Sequence, residues 1–343
     1  MNRRAFWVPL LRFLSSAMLG IALLSLFSCA TVSSGPSSAA SATDRALLLN
    51  PFAKLPSGAS LYVYGDIEKT RNLINGLYRL GPVKALQRIP EKSLAKVGTV
   101  YGALYNEEEP QRFYILVSGR FPVVRTFLSL TFSPDWKQKR TEGFSYWRSE
   151  KDGLSLHIDS KQMVITDGIP LKGSSEERPL KSGSLQNNVN GEAGGEPADL
   201  IAGTNFFLMF NKPRTIIQSF ISGLGPLGES FNIPVEKVIF RVYPSAKPGI
   251  YEVQANLVTS SPTYGKALGA LISLVTRFMP PVSDSMDSSQ PEQVIQRMAV
   301  LLLSERPVVE GPLVNLSSKP ITEAELTLLL HSLLVYSEQN KLF

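Results

Sequence analysis

Two short apolar runs, Leu61-Tyr62-Val63-Tyr64 and Phe206-Phe207-Leu208-Met209, lie 145 positions apart and both read as strands. Asp66 and Asn211 follow at the same offset, each suited to cap a helix through its side-chain oxygen. Helical spacing then follows in both places: Leu73, Leu77 and Leu80 answer to Ile217, Ile221 and Leu224, and each set is followed by Gly-Pro. Further on, Tyr105, Pro110 and Phe113 match Tyr243, Pro248 and Tyr251, so each half predicts two β-rich runs around a polar turn. Pro122 and Pro262 open new helical patterns. The first half adds strand-like segments at Phe144 to Arg148, Leu154 to Ile158 and Met163 to Thr166. The second ends in a helix over Thr322 to Tyr336. There Thr322 and Glu325 form a capping box, and Ile321 and Leu326 a hydrophobic staple.

The repeated order is strand, helix, strand, strand, helix. The expected class is therefore α+β, with two related β-α-β-β-α sandwich domains. Each resembles the ferredoxin-like split β-α-β arrangement, which implies a sheet with helices on one face. A stretch without aromatic residues, 172–199, is rich in Gly, Ser, Glu and Asn and reads as a flexible linker. A first domain is thus expected over 46–171 and a second over 200–343.

Ahead of both lies a different pattern. Arg3, Arg4 and Arg12 precede an uncharged, mostly apolar stretch from Phe13 to Phe27, and no further charge occurs before Asp44. A basic end followed by a short apolar segment, broken by Ser15, Ser16 and Ser25, has the layout of a cleaved export signal; a stable spanning helix needs about 20 predominantly apolar residues. Leu26-Phe27-Ser28-Cys29 resembles the lipobox of bacterial envelope lipoproteins, in the looser form that spirochaete lipoproteins tolerate at the Phe27 position. The resemblance implies cleavage of residues 1–28, lipidation of Cys29 and anchoring to a bacterial membrane, the outer one where the cell has two. Residues 29–45, mostly Ala, Ser and Thr, read as a tether between lipid and body.

Composition sharpens this. The chain has 343 residues and is 43% hydrophobic, enough for two cores. Its single cysteine excludes an intrachain disulfide, and lipidation would remove it from thiol chemistry. The two histidines, His157 and His331, are poor material for a metal cluster, so no cofactor or metal is expected. Cleavage would remove three arginines and no acid, lowering the formal charge from +6 to +3, which argues against nucleic acid as a partner.

Catalytic motifs are wanting. Gly223-Leu224-Gly225-Pro226-Leu227-Gly228 has three glycines in dinucleotide spacing, but it follows a helical pattern, and Pro226 removes a donor that a phosphate would need. Glu107-Glu108-Glu109 reads as a solvated hairpin tip, and His157 as a residue on the polar side of a strand. The most site-like segment is Asp135 to Arg140, continued by Tyr146-Trp147-Arg148. Trp136, Lys137, Lys139 and Arg140 could meet a sugar or an anionic lipid surface. The alternative is a charged strand whose aromatics pack inward.

These features point to a non-enzymatic binding or scaffold module held to a membrane by acyl chains, with an envelope protein, glycan or lipid as partner. Two alternatives stay open: a membrane-active protein that inserts apolar helices of its second half, and a carboxylate-dependent hydrolase of envelope glycan. Mass spectrometry of the mature protein is expected to find an acylated Cys29 at the N-terminus. An unmodified Cys29, or one still preceded by Ser28, overturns the lipidation.

Overall fold

The computed structural model describes residues 55, 59–81, 94–105, 113–141, 144–170, 201, 203–211, 234–278, 300–302 and 305–339. Cys29, the tether, the linker at 172–199, Glu107 to Glu109 and Gly223 to Gly228 lie outside the described residues. The protein is α+β, with antiparallel strands dominating over a few helices.

The chain divides into two compact units, each assembled from more than one segment. One contains a sheet in the order β1 (Leu61–Asp66), β2 (Val97–Leu104), β3 (Phe113–Gly119), β7 (Gln162–Thr166), β6 (Ser155–Ile158), β5 (Phe144–Ser149) and β4 (Trp136–Thr141). Every pairing in it is antiparallel. Its helix α2 (Val123–Thr131) follows β3. The pleat turns Val63, Ile115, Ile165, Leu156 and Trp147 to one face, and Phe127 of α2 meets the Trp147 ring edge-on at 5.4 Å. The opposite face begins with Tyr62, Tyr64, Tyr101 and Tyr114 and becomes polar toward β5 and β4. Burial raises the Tyr64 phenol well above its ordinary range, with Asp66 reinforcing the effect.

The other unit holds β8 (Phe206–Asn211), β9 (Val235–Pro244), β10 (Ile250–Thr259), β12 (Leu313–Ser317) and β11 (Val308–Glu310) in the order β11-β12-β10-β9-β8. A short β13 (Ile321–Thr322) also pairs with β10. Its helices are α1 (Arg71–Leu80), α3 (Pro262–Phe278) and α4 (Glu323–Gln339). Leu268, Leu271 and Ile272 of α3 pack on Val238, Ala255, Leu257, Val314 and Leu316 of the sheet. Leu73 of α1 and Leu326 of α4 join Tyr251, Val253 and Ile321 in a second cluster. Gly76 of α1 lies so close to α4 that a Cβ there would come within 2.8 Å of Thr327 Cγ2. Thus α1, which follows β1 in sequence, packs in the unit that the second half of the chain builds.

The repeated order is visible in the described elements, while the helix expected over Ile217 to Leu224 lies outside the described residues. Strands β1 and β8 span the same six positions at an offset of 145, and β1-β2-β3 and β8-β9-β10 are both antiparallel meanders followed by a helix whose start carries a proline, Pro122 at the N-cap of α2 and Pro262 as the first residue of α3. The split β-α-β order is not adopted: it places another strand between the two parallel strands that the first helix joins, whereas β1 hydrogen-bonds directly to β2, and antiparallel. The connection from β1 to β2 is long enough to return the chain in either sense, so local pattern could not choose between them. The helix starts also differ in part. Asp66 is the last residue of β1, while α1 begins at Arg71, with Thr70 at its N-cap and no side-chain cap bond. At α4 the cap is present: the Glu325 backbone N–H donates to Thr322 Oγ1 at 3.2 Å, and Ile321 and Leu326 share a core.

Small residues on α3 serve close packing. A Cβ on Gly265 would strike the carbonyl oxygen of Gly311 and the Pro312 backbone, whereas one on Gly269 would meet only the Val309 side chain. Gly265→Ala is expected to lose about 1–3 kcal/mol because backbone cannot yield, and Gly269→Ala less. Thermal unfolding of the two variants checks this order, and equal midpoints refute it.

Candidate functional site

The segment 136–141 forms strand β4, and its only strand neighbour among the described residues is β5. Alternation sends Lys137 and Lys139 to one face, beside Arg148 and Tyr146 of β5, and Trp136, Gln138 and Arg140 to the other. Lys137, Gln138, Lys139 and Arg140 are all exposed, and Trp136 is half-buried. The neighbouring Trp147 is buried, so one of the two tryptophans of the segment serves the core. The structure thereby puts the four candidate side chains on one strand but on two faces. No helix among the described residues is long and apolar enough to cross a membrane, which leaves strands out of account.

Beside the Lys139 face is an open depression of about 510 Å³. Lys139, Tyr146, Arg148, Glu150, Asp167 and Ile169 contribute to its walls. Sequence reasoning reached the first three through their local run; Glu150 and Asp167 arrive by register and turn geometry, which no short-range pattern encodes. Gly153, at φ +66°, lets the chain reverse between β5 and β6, with Ser149 and Leu154 bonded across the turn at 2.7 Å. The reversal sets Ser155 opposite Arg148.

Arg148 is held in place from its inner side. Its Nη1 donates to Ser155 Oγ and the Asp167 carbonyl, both at 2.8 Å, and to the Gly168 carbonyl at 3.3 Å. All of these acceptors are neutral, so they orient the guanidinium without cancelling its charge. Asp167 Oδ1 accepts from the Phe113 backbone N–H at 3.2 Å, which directs that carboxylate toward the sheet. Lys137 Nζ lies 2.7 Å from Glu150 Oε2, with both side chains more than half exposed. The hydrogen bond from Lys137 holds the Glu150 carboxyl below its ordinary range, and the charges of Lys137 and Lys139 add to this.

Other polar residues occupy structural positions. His157 is half-buried; its Nδ1 lies 2.9 Å from the Ser145 carbonyl and its ring meets Phe144 edge-on at 5.1 Å. His331 sits half-buried on α4. In the other unit, Arg241 Nη2 donates to Asn256 Oδ1, and Asn256 Nδ2 donates to Asn315 Oδ1, so a polar ladder runs across β9, β10 and β12. Arg241 also lies 5.7 Å from the centre of the Tyr243 ring. Among the described residues no three of His, Cys, Asp and Glu come together as a metal site would require.

Fold and surface define the class: an antiparallel α+β protein of two compact units, one of which carries a basic outer strand beside an open depression. No protein-family model matches the chain, and no curated protein matches it. Solved structures of TP0453 are similar. Crystal form III shares 19% identity at a TM-score of 0.44, covering 82% of this chain and 97% of that one. Form IV shares 18% at 0.46 with the same coverage, and form I 20% at 0.42, covering 83% and 97%. No residue role is carried over from these likenesses.

Lys137→Ala is expected to move the Glu150 titration midpoint up toward the ordinary glutamate value, and Lys139→Ala to move it in the same direction by less. An NMR pH titration reads both; a midpoint unmoved by Lys137→Ala refutes the pairing.

Proposed function

We propose that the protein is a lipid-anchored component of the bacterial cell envelope whose body is a non-enzymatic binding module for an anionic partner. The observation that carries the binding role is the row of exposed cations on β4, with Arg148 one strand further in and oriented entirely by neutral acceptors. Desolvating a charge is costly unless a partner compensates it; Lys137 is paired with Glu150, so Lys139, Arg140 and the oriented Arg148 are the cations that favour an anionic ligand. The tether and the lipobox-like Cys29 support attachment to a membrane, and acyl chains at about 0.8 kcal/mol per buried methylene would make it durable.

The two alternatives draw less support. Glycan hydrolysis by paired carboxyls needs one of them held protonated, whereas Glu150 at the depression is pushed the other way by Lys137. A membrane-active role drew on the apolar helices of the second half. Leu268, Leu271 and Ile272 of α3, and Leu326 and Leu329 of α4, are buried.

The expected result is that the combined Trp136→Ala, Lys137→Ala, Lys139→Ala and Arg140→Ala variant binds anionic glycan or anionic liposomes at least about fivefold more weakly than the parent. Co-sedimentation at low salt measures it. Equal binding by the two proteins rejects β4 as the contact surface.

A further inference from the structure

We infer that β4 is a strand-addition site that takes up an extended, Asp- and Glu-rich peptide segment of a partner protein. The inference rests on the reading of β4 as the binding surface and names what that surface accepts.

The first ground is unpaired backbone. The Glu150 N–H donates to the Asp135 carbonyl at 3.1 Å, and this sets the phase of the β4–β5 ladder. In an antiparallel pair, alternate residues bond inward and outward, so Lys137 and Lys139 bond to β5 while Gln138 and Arg140 turn their N–H and C=O groups away from it. The Trp136 N–H is used locally, by the Ser133 carbonyl at 3.3 Å. Four consecutive exposed residues, 137 to 140, leave this side of the strand open to solvent. A peptide that adds here gains main-chain hydrogen bonds whatever its sequence.

The second ground is charge, which selects the sequence. Cations flank the open edge on both faces: Lys137 and Lys139 on one, Arg140 on the other. Edge lysines deter pairing with apolar strands. They also deter pairing of two copies of this edge, since β4 against β4 would bring like charges together. An acidic strand meets neither obstacle. On the Lys139 face its side chains would lie directly beside Lys139, one strand spacing away, while Lys137 next to it is paired with Glu150. That placement suits a carboxylate on this face of the incoming strand.

The experiment uses the full chain in neutral detergent and a short probe peptide alternating Glu and Val, followed by calorimetry or fluorescence anisotropy. Controls are the same peptide methylated on every backbone nitrogen and a peptide alternating Lys and Val. The Glu–Val probe is expected to bind in a salt-dependent manner. Backbone methylation should weaken it at least about tenfold, because the main-chain donors are lost. Gln138→Pro, which removes an outward N–H and spares the ladder to β5, should weaken the unmethylated probe several-fold. Should that variant fold poorly, the methylated peptide makes the same test on the unaltered chain. Equal binding of methylated and unmethylated probes, still weakened by Lys139→Ala with Arg140→Ala, overturns strand addition and leaves a charge-driven surface. No binding of the Glu–Val probe, with anionic liposomes still bound, also overturns it. If neither anionic liposomes nor the probe responds to Lys139→Ala with Arg140→Ala, the binding surface itself is lost along with it.

Discussion

Main-chain pairing between strands that are close in sequence is the constraint from which the other features follow. In each unit a meander of three strands forms first in the chain, β1-β2-β3 or β8-β9-β10, and later strands extend the sheet beyond the third, β7 or β12. Antiparallel neighbours satisfy every inward N–H and C=O, but an outermost strand cannot satisfy its outer row. In the unit carrying the depression β7 takes the place beside β3, and the consecutive pairs β7-β6, β6-β5 and β5-β4 leave β4 outermost among the described strands. Its lysines and arginine lie where an uncharged strand would invite aggregation.

Helices settle which face of each sheet is dry. In the unit built mainly from the second half, α3 approaches within reach of Gly311 and Pro312 because Gly265 and Gly269 present no side chain, and this closeness buries Leu268, Leu271 and Ile272. The neighbouring cluster is completed by Leu73, from a helix that begins soon after β1. That helix ties an early segment of the chain to a core made largely of late ones. Removing either half would therefore strand apolar surface of α1 or of the Tyr251 cluster. On the other face, the Arg241, Asn256 and Asn315 ladder shows how the same sheet carries polar residues across three strands by linking them through hydrogen bonds.

Much of the element list was legible. The equivalence of β1 and β8 and the starts of α2 and α3 at Pro122 and Pro262 follow from apolar spacing and backbone restriction. So does the Thr322 cap, since these signals act within a few residues. The start of α1 was misjudged, since Asp66 is equally at home at the end of a strand and the choice depended on pairing with Thr99 across the sheet. The basic run at 136–140 was visible as a run. That it forms an edge, that Lys137 and Lys139 share a face with Arg148, and that Glu150 and Asp167 come to the same depression all depend on register with β5, β6 and β7.

By itself, the sequence determined the α+β class and the equivalence of β1 and β8, because composition and short-range periodicity encode these. It also carried the lipobox-like motif at Cys29. Strand order, the antiparallel choice at β1 and β2, the passage of α1 into the unit built by the second half and the pairing of Lys137 with Glu150 were decided only in three dimensions. Each is a contact between distant residues, selected by the joint fit of backbone hydrogen bonds and apolar burial, and no local stretch of chain contains enough information to choose it.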